Sequence, residues 1–191
     1  MRKYDSLIYM KELGLNVGEL REFGYAQKSE MFEYARYLLK KFGGLIARTD
    51  YPKHIKRNPV RLPYITDCKD FKTFESFVET HKDKYTYILL QMVGNEKMVF
   101  AAYVYLDEMN RLCGEYNDVD RVGDMRPRME NAKNIKRLCV GPGGGYDKRF
   151  MRIRTDIIRA GIEPHRIVEL AAFDIDGVIT PFYKQLRGRD F

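Results

Sequence analysis

The sequence predicts an α+β protein built on antiparallel sheets, and two observations carry that reading. The predicted elements run helix, strand, helix, strand, helix, three strands, a basic linker, a helix and a closing hairpin, with no run of alternating βαβ units. Near the end, Ile175-Asp176-Gly177 separates two β-rich runs, and Asp-Gly is among the strongest signals for a two-residue hairpin turn. The expected division is an N-terminal α+β lobe, residues 1–90, and a C-terminal lobe, residues 91–191. The second holds an antiparallel sheet, a basic glycine-rich segment and the hairpin.

Leu7, Ile8, Met10 and Leu13 give a short amphipathic helix ending at Gly14, a residue suited to the left-handed position after a helix. A strand is expected within residues 17–25. From Ser29, read as the N-cap, Met31, Phe32, Ala35, Leu38, Leu39 and Phe42 recur at helical spacing until Gly43-Gly44 stops the run. Residues 45–49 read as a brief buried strand that delivers Arg48, Thr49 and Asp50 to its end, and a Pro-rich basic loop then extends to about Pro63. Phe71, Phe74, Phe77 and Val78 mark another helix, with Thr66 or Asp67 near its start and its end before Lys84.

Three β-rich runs follow, residues 85–93, 98–106 and 112–117, separated by Gly94-Asn95-Glu96 and Asp107-Glu108-Met109-Asn110, and they read as an antiparallel meander. Phe150, Ile153, Ile157 and Ile158 mark the last helix, closed by Gly161, with Arg152, Arg154 and Arg159 on its other sides. Residues 167–174 and 178–186 form the final strands.

A chain of 191 residues suits one domain or two small lobes and buries roughly 70% of its unfolded surface. No apolar run approaches the roughly 20 residues that span a bilayer, and Met1-Arg2-Lys3-Tyr4-Asp5 does not open a signal peptide, so a cytoplasmic location is expected. Cys68, Cys113 and Cys139 are scattered, with no metal-ligand spacing, and read as buried reduced thiols. His54, His81 and His165 are equally dispersed, which argues against a zinc site or a Cys/His catalytic pair. Carboxylates, lysines and arginines are left to carry any chemistry.

The positive charge is concentrated. Residues 121–159 hold eleven basic and four acidic side chains, a surplus equal to the whole net charge of +7. They surround Gly141-Pro142-Gly143-Gly144-Gly145, whose backbone N–H groups can turn toward one anion. The run matches neither the dinucleotide fingerprint nor the P-loop. Lys136, Arg137, Lys148 and Arg149 are the candidate anion contacts, and a phosphate-bearing ligand is expected. The same stretch also reads as a solvated face, as an RNA- or DNA-binding module with Tyr116, Tyr146 and Phe150 stacking on bases, or as the docking surface of a non-catalytic subunit for an acidic partner.

Three strings together resemble the ATP-grasp fold, in which ATP lies between two α+β lobes. Residues 42–50, Phe42-Gly43-Gly44-Leu45-Ile46-Ala47-Arg48-Thr49-Asp50, are similar to the strand bearing a phosphate-facing Arg in the ATP-binding domain of phosphoenolpyruvate synthase and pyruvate phosphate dikinase. Residues 88–96, Ile88-Leu89-Leu90-Gln91-Met92-Val93-Gly94-Asn95-Glu96, resemble the crossing segment beside the adenine. A helix closing at Ala160-Gly161-Ile162, followed by residues 168–177 and a last strand, is similar to the family's usual finish.

The resemblance implies an ATP-dependent ligase or phosphotransferase. ATP and magnesium are the implied cofactors, and the acceptor substrate is left open. Arg48 would contact phosphate, and Gln91, Met92 and Val93 would lie at the base. The family's last strand carries Glu-x-Asn followed by Arg, and its Glu and Asn bind magnesium, whereas this chain reads Gln185-Leu186-Arg187-Gly188-Arg189. A guanidinium has no acceptor for a metal, so the departure puts catalysis in question and allows a protein that binds nucleotide without turning it over. The conditional metal ligands are Glu169, Asp174, Asp176 and Gln185. Glu169 and Asp174 fall on opposite faces of a regular strand, whereas Asp174 and Asp176 share one. Without a metal, Arg48, Lys184 and Arg187 would form the phosphate clamp.

Overall fold

The computed structural model describes residues 2–52, 62–94, 97–118, 136–141 and 148–188. Among the described residues, four α-helices, α1 (Lys3–Glu12), α2 (Lys28–Phe42), α3 (Phe71–His81) and α4 (Lys148–Arg159), accompany nine strands. The strands are β1 (Leu20–Phe23), β2 (Leu45–Asp50), β3 (Tyr64–Cys68), β4 (Thr86–Gln91), β5 (Met98–Leu106), β6 (Leu112–Asp118), β7 (Lys136–Val140), β8 (Val168–Ile175) and β9 (Val178–Leu186). Every strand pairing is antiparallel, in sheets ordered β1-β4-β2-β3 and β7-β6-β5-β8-β9. The protein is α+β, as expected.

The chain divides into two compact units, one of residues 2–4 and 18–94, the other of residues 1, 5–17 and 95–191. Most of α1 therefore belongs with the C-terminal residues, whereas the expected cut after residue 90 assigned it to the N-terminal lobe.

In the unit holding β1 to β4, one face of the sheet carries Phe23, Leu45, Ala47, Tyr87 and Leu89, which pack with Met31, Ala35 and Leu38 of α2 and Phe74 and Val78 of α3. Strand alternation then puts Ile46, Arg48, Ile88 and Leu90 on the opposite face. Helix α2 starts at Lys28 after Gln27, without a side-chain cap, so Ser29 is not its N-cap. It ends at Gly43 in the left-handed conformation that the sequence signalled.

Two strand assignments change. Residues 64–68, expected to be loop and helix start, form β3 against β2, and α3 begins later, capped by Asp70, whose carboxylate accepts from Thr73 N at 2.8 Å. Strand β4 does not continue into β5 as a meander. It sits in the first sheet between β1 and β2, while β5 and β6 form a hairpin in the second. A run of β-rich segments along the chain gives no sign of which sheet each one joins.

In the other unit, α4 buries Phe150, Ile153 and Ile157. Phe150 meets Phe100 and Tyr116 at ring-centroid distances of 4.7 and 4.8 Å, and the Tyr183 hydroxyl donates to Asp156 at 3.0 Å. These contacts place α4 on the sheet face that carries Phe100, Tyr116 and Tyr183. The Asp176-Gly177 turn joins β8 to β9 with both residues at positive φ, 53° and 81°, as the hairpin signal required.

Candidate functional site

In the first sheet, Arg48 lies opposite Ile88 on one side and Tyr64 on the other, and Ile88 lies opposite Glu22. Glu22, Ile88, Arg48 and Tyr64 thus form one row across the sheet, on the face turned away from α2 and α3. The next position on that face pairs Asp50 with Thr86. Arg2 enters here, bonding Glu22 and lying 3.6 Å from Asp50, and its side chain is 11% exposed. Thr86 donates its hydroxyl to Glu22 at 2.9 Å, and the Lys3 backbone N–H donates to Asp50 at 3.2 Å. The sequence had singled out Arg48 alone in this network.

The end of β4 has structural duties. Gln91 exchanges two bonds with Glu19: its N–H donates to the Glu19 carbonyl at 2.8 Å, and its side-chain oxygen accepts from Glu19 N at 2.9 Å. Met92 is buried, with its thioether against Gly44, and Val93 is half-buried.

In the second sheet, on the face away from α4, register aligns Gln185, Glu169, Tyr103, Glu115 and Arg137 as one polar row across β9, β8, β5, β6 and β7. Arg187 joins it from the end of β9, donating to Glu169 at 2.9 Å with its guanidinium 5.2 Å from the centre of the Tyr103 ring. Its backbone N–H donates to Ile167 O at 2.8 Å, so the residue still belongs to the sheet. The register steps from Glu169 opposite Gln185 to Leu170 opposite Tyr183, which makes Lys184 the bulged residue. Bulges re-aim side chains, and this one puts Gln185 rather than Lys184 beside Glu169.

The basic segment is less uniform than its composition suggests. Lys136 and Arg149 both hold the Asp118 carboxylate, at 2.5 and 2.9 Å, and Arg149 lies near the Phe100, Tyr116 and Phe150 rings. Asp118 draws the Lys136 ammonium above its ordinary pKa, chiefly through that hydrogen bond. Lys136, Arg137 and Lys148 are exposed, at the start of β7 and of α4, and Arg149 is half-buried. Phe150 is fully buried, so it does not stack on bases. Tyr146 and residues 142–147, with most of the glycine run, lie outside the described residues.

This architecture aligns along almost its whole length with solved structures. An ADP complex of N5-carboxyaminoimidazole ribonucleotide synthetase gives a TM-score of 0.55 at 12% identity, over 100% of this chain and 45% of the other. D-alanyl-alanine synthetase A from Vibrio cholerae gives 0.55 at 10% identity, over 98% and 54%. The ATP-grasp ligase PsnB complexed with minimal precursor gives 0.52 at 12%, over 99% and 52%. The fold is ATP-grasp-like. The chain spans about half the length of these structures. No protein-family model matches it, and no curated protein matches it in sequence.

An ATP-grasp-like fold implies magnesium, but the residues here do not suit that ion. Asp174 accepts from Gly177 N at 2.8 Å and, with Asp176, belongs to the β8–β9 turn, roughly 17 Å along the strand from Glu169 at about 3.4 Å per residue. Glu169 and Gln185 do meet, as register partners, but one is already bonded to a guanidinium and the other is a neutral amide. Magnesium favours anionic oxygens in a tight octahedron. The four expected ligands are therefore not one site, and among the described residues no group of three or more His, Cys, Asp or Glu could hold a metal ion.

Other corrections follow from the same geometry. Of the three thiols, Cys68 alone is buried. Cys113 is half-buried and Cys139 exposed, with sulfurs 3.5 Å apart across β6 and β7. Tyr103, Glu115 and Asp118 escaped the sequence reading because strand register brings them to the candidate residues, and no local motif marks it. No helix among the described residues is long and apolar enough to cross a membrane.

Proposed function

We propose that this chain binds ATP through an ATP-grasp-like site and that Arg48 takes hold of the phosphates. The observation that carries this reading is the place of Arg48: a cation in the middle of a strand, on the sheet face left uncovered by α2 and α3, within an ATP-grasp-like fold. A guanidinium offers planar paired donors suited to phosphate oxygens. The segment after β4 receives the base, through the backbone of Met92 and Val93, because the side chains of Gln91 and Met92 already serve β1 and Gly44. In the second sheet, Arg187 and Arg137 of the polar row, with Lys184 at the neighbouring bulge, carry the positive charge available to an anionic ligand.

Ligase or phosphotransferase chemistry on a second substrate fits the named neighbours, which include a synthetase in complex with ADP and a ligase complexed with a precursor. A basic nucleic-acid surface or an acidic docking partner finds less support, since Asp118 neutralises part of Lys136 and Arg149 and Phe150 is core.

The test is thermal stabilisation of the purified protein by ATP. A ligand at 100 times its Kd adds ~2.7 kcal/mol, enough to raise the midpoint by a few degrees. Arg48→Ala should abolish the response. An unchanged ATP response in that variant removes the main support, and salt-sensitive RNA binding with no ATP response moves the reading to a nucleic-acid module.

A further inference from the structure

We infer that Arg187 is a phosphate-holding cation of the second sheet, and that a phosphate chain binds there free of a divalent metal. The inference rests on the nucleotide reading above and deepens it. Glu169 is the sole carboxylate that the last two strands bring into the polar row, and its Oε2 already accepts from Arg187 at 2.9 Å. The Glu169 side chain is 16% exposed and that of Arg187 46%, so the carboxylate is the more enclosed partner and the guanidinium is the one with a face toward ligand.

Two attachments hold that guanidinium. Tyr103 underlies it at 5.2 Å, and the Arg187 backbone is fixed to Ile167. A magnesium ion on Glu169 would sit within a few ångströms of a permanent positive charge, with a neutral amide as its next protein ligand, and both conditions disfavour it. A phosphate oxygen meets the reverse situation. The guanidinium has five N–H donors and uses part of them on Glu169, so it can donate to an anion while Glu169 orients it. Arg137 faces the remaining carboxylate of the row, Glu115, as its register partner, so the row carries no net negative charge.

Magnesium should thus compete for the ligand rather than assist it, because the metal-bound triphosphate carries less negative charge than the free one. The experiment is calorimetric titration of the full chain with ATP and with inorganic tripolyphosphate, in EDTA and in excess magnesium chloride. Binding at least as tight in EDTA as in magnesium supports the inference, and Arg187→Gln should then weaken it about 10- to 100-fold. Glu169→Gln should tighten binding in EDTA, whereas a residue that held a metal would show a loss. Gln185→Glu with Arg187→Asn restores two oxygen ligands and should make binding require magnesium. ATP binding by the wild type only in magnesium overturns the inference and leaves the nucleotide reading standing. Tripolyphosphate binding in EDTA without ATP preference overturns the nucleotide reading while keeping Arg187 as an anion-holding cation. Absence of both overturns both.

Discussion

The thioether of Met92 lies where a Cβ on Gly44 would stand: built there, that carbon would be 2.3 Å from Met92 Cε, 2.8 Å from Sδ and 3.2 Å from the Cys68 carbonyl. The second glycine of the Gly43-Gly44 pair is thus required by packing, whereas the first is required by its left-handed backbone. Gly44→Ala should cost about 1–3 kcal/mol through overpacking. Met92→Ala in the same chain should recover part of that cost, a coupling that urea denaturation of the two single variants and the double variant reads directly.

Cys139 should be the first thiol to react. It is exposed, while Cys113 is half-buried and its pKa is pushed up to about 12, by burial first and then by the hydrogen bond and charge of Cys139. Burial also raises the Cys68 thiol. Iodoacetamide at neutral pH should label Cys139 before the other two, as read by peptide mass spectrometry. With glutathione disulfide, Cys139 attacks and releases one glutathione. The Cys113 thiolate then displaces the second, leaving a Cys113–Cys139 disulfide and a chain lighter by two hydrogens. Because the thiolate is the nucleophile, this closure should quicken as pH rises. A rate independent of pH, or a bond involving Cys68, contradicts the assignment.

These features show how far local sequence reaches. Helices α2 and α4 were legible because their apolar residues repeat at 3.6-residue spacing, and the last hairpin because Asp-Gly suits two positive φ angles. Arg48 was expected at the end of a buried strand and lies within it, because β2 runs on to Asp50. Partnerships across strands were not. That Asp118 holds Lys136 and Arg149, that Glu169 holds Arg187, and that β4 belongs between β1 and β2 follow from register among segments 18 to 70 residues apart, on which local periodicity is silent. The bulge at Lys184 is equally hidden, and it decides which side chain of β9 meets Glu169.

Acid should weaken α3 through its cap. Asp70 lies below its ordinary pKa, first because the Thr73 backbone N–H donates to it and then because the Thr73 hydroxyl does. A carboxyl whose folded pKa is depressed stabilises the protein above its unfolded value, about 3.9, and that stabilisation is lost as pH falls through the folded value. Asp70→Ala should therefore lower the thermal midpoint at pH 7, and the gap to the wild type should narrow below about pH 4. A gap that stays constant down to pH 2 would show that the carboxylate charge is not the cause.

Arg2 should matter to both stability and ligand binding. It joins Glu22 and Asp50 on the sheet face that carries Arg48, with all three side chains at most 15% exposed. Removing one partner of a buried ion pair leaves charge without compensation, so Arg2→Ala should cost about 3 kcal/mol in urea denaturation. Adding Glu22→Gln should restore part of the loss, because it removes the carboxylate left behind. The functional effect follows from register: Glu22 lies one strand beyond Ile88 from Arg48, and Asp50 lies two residues along the same strand. Without Arg2, these carboxylates set a negative field around Arg48, and phosphate should bind less well. ATP stabilisation measured below the unfolding transition should fall in Arg2→Ala and return in the double variant. If stability falls while ATP affinity holds, Arg2 braces the sheet and has no part in tuning the charge around Arg48.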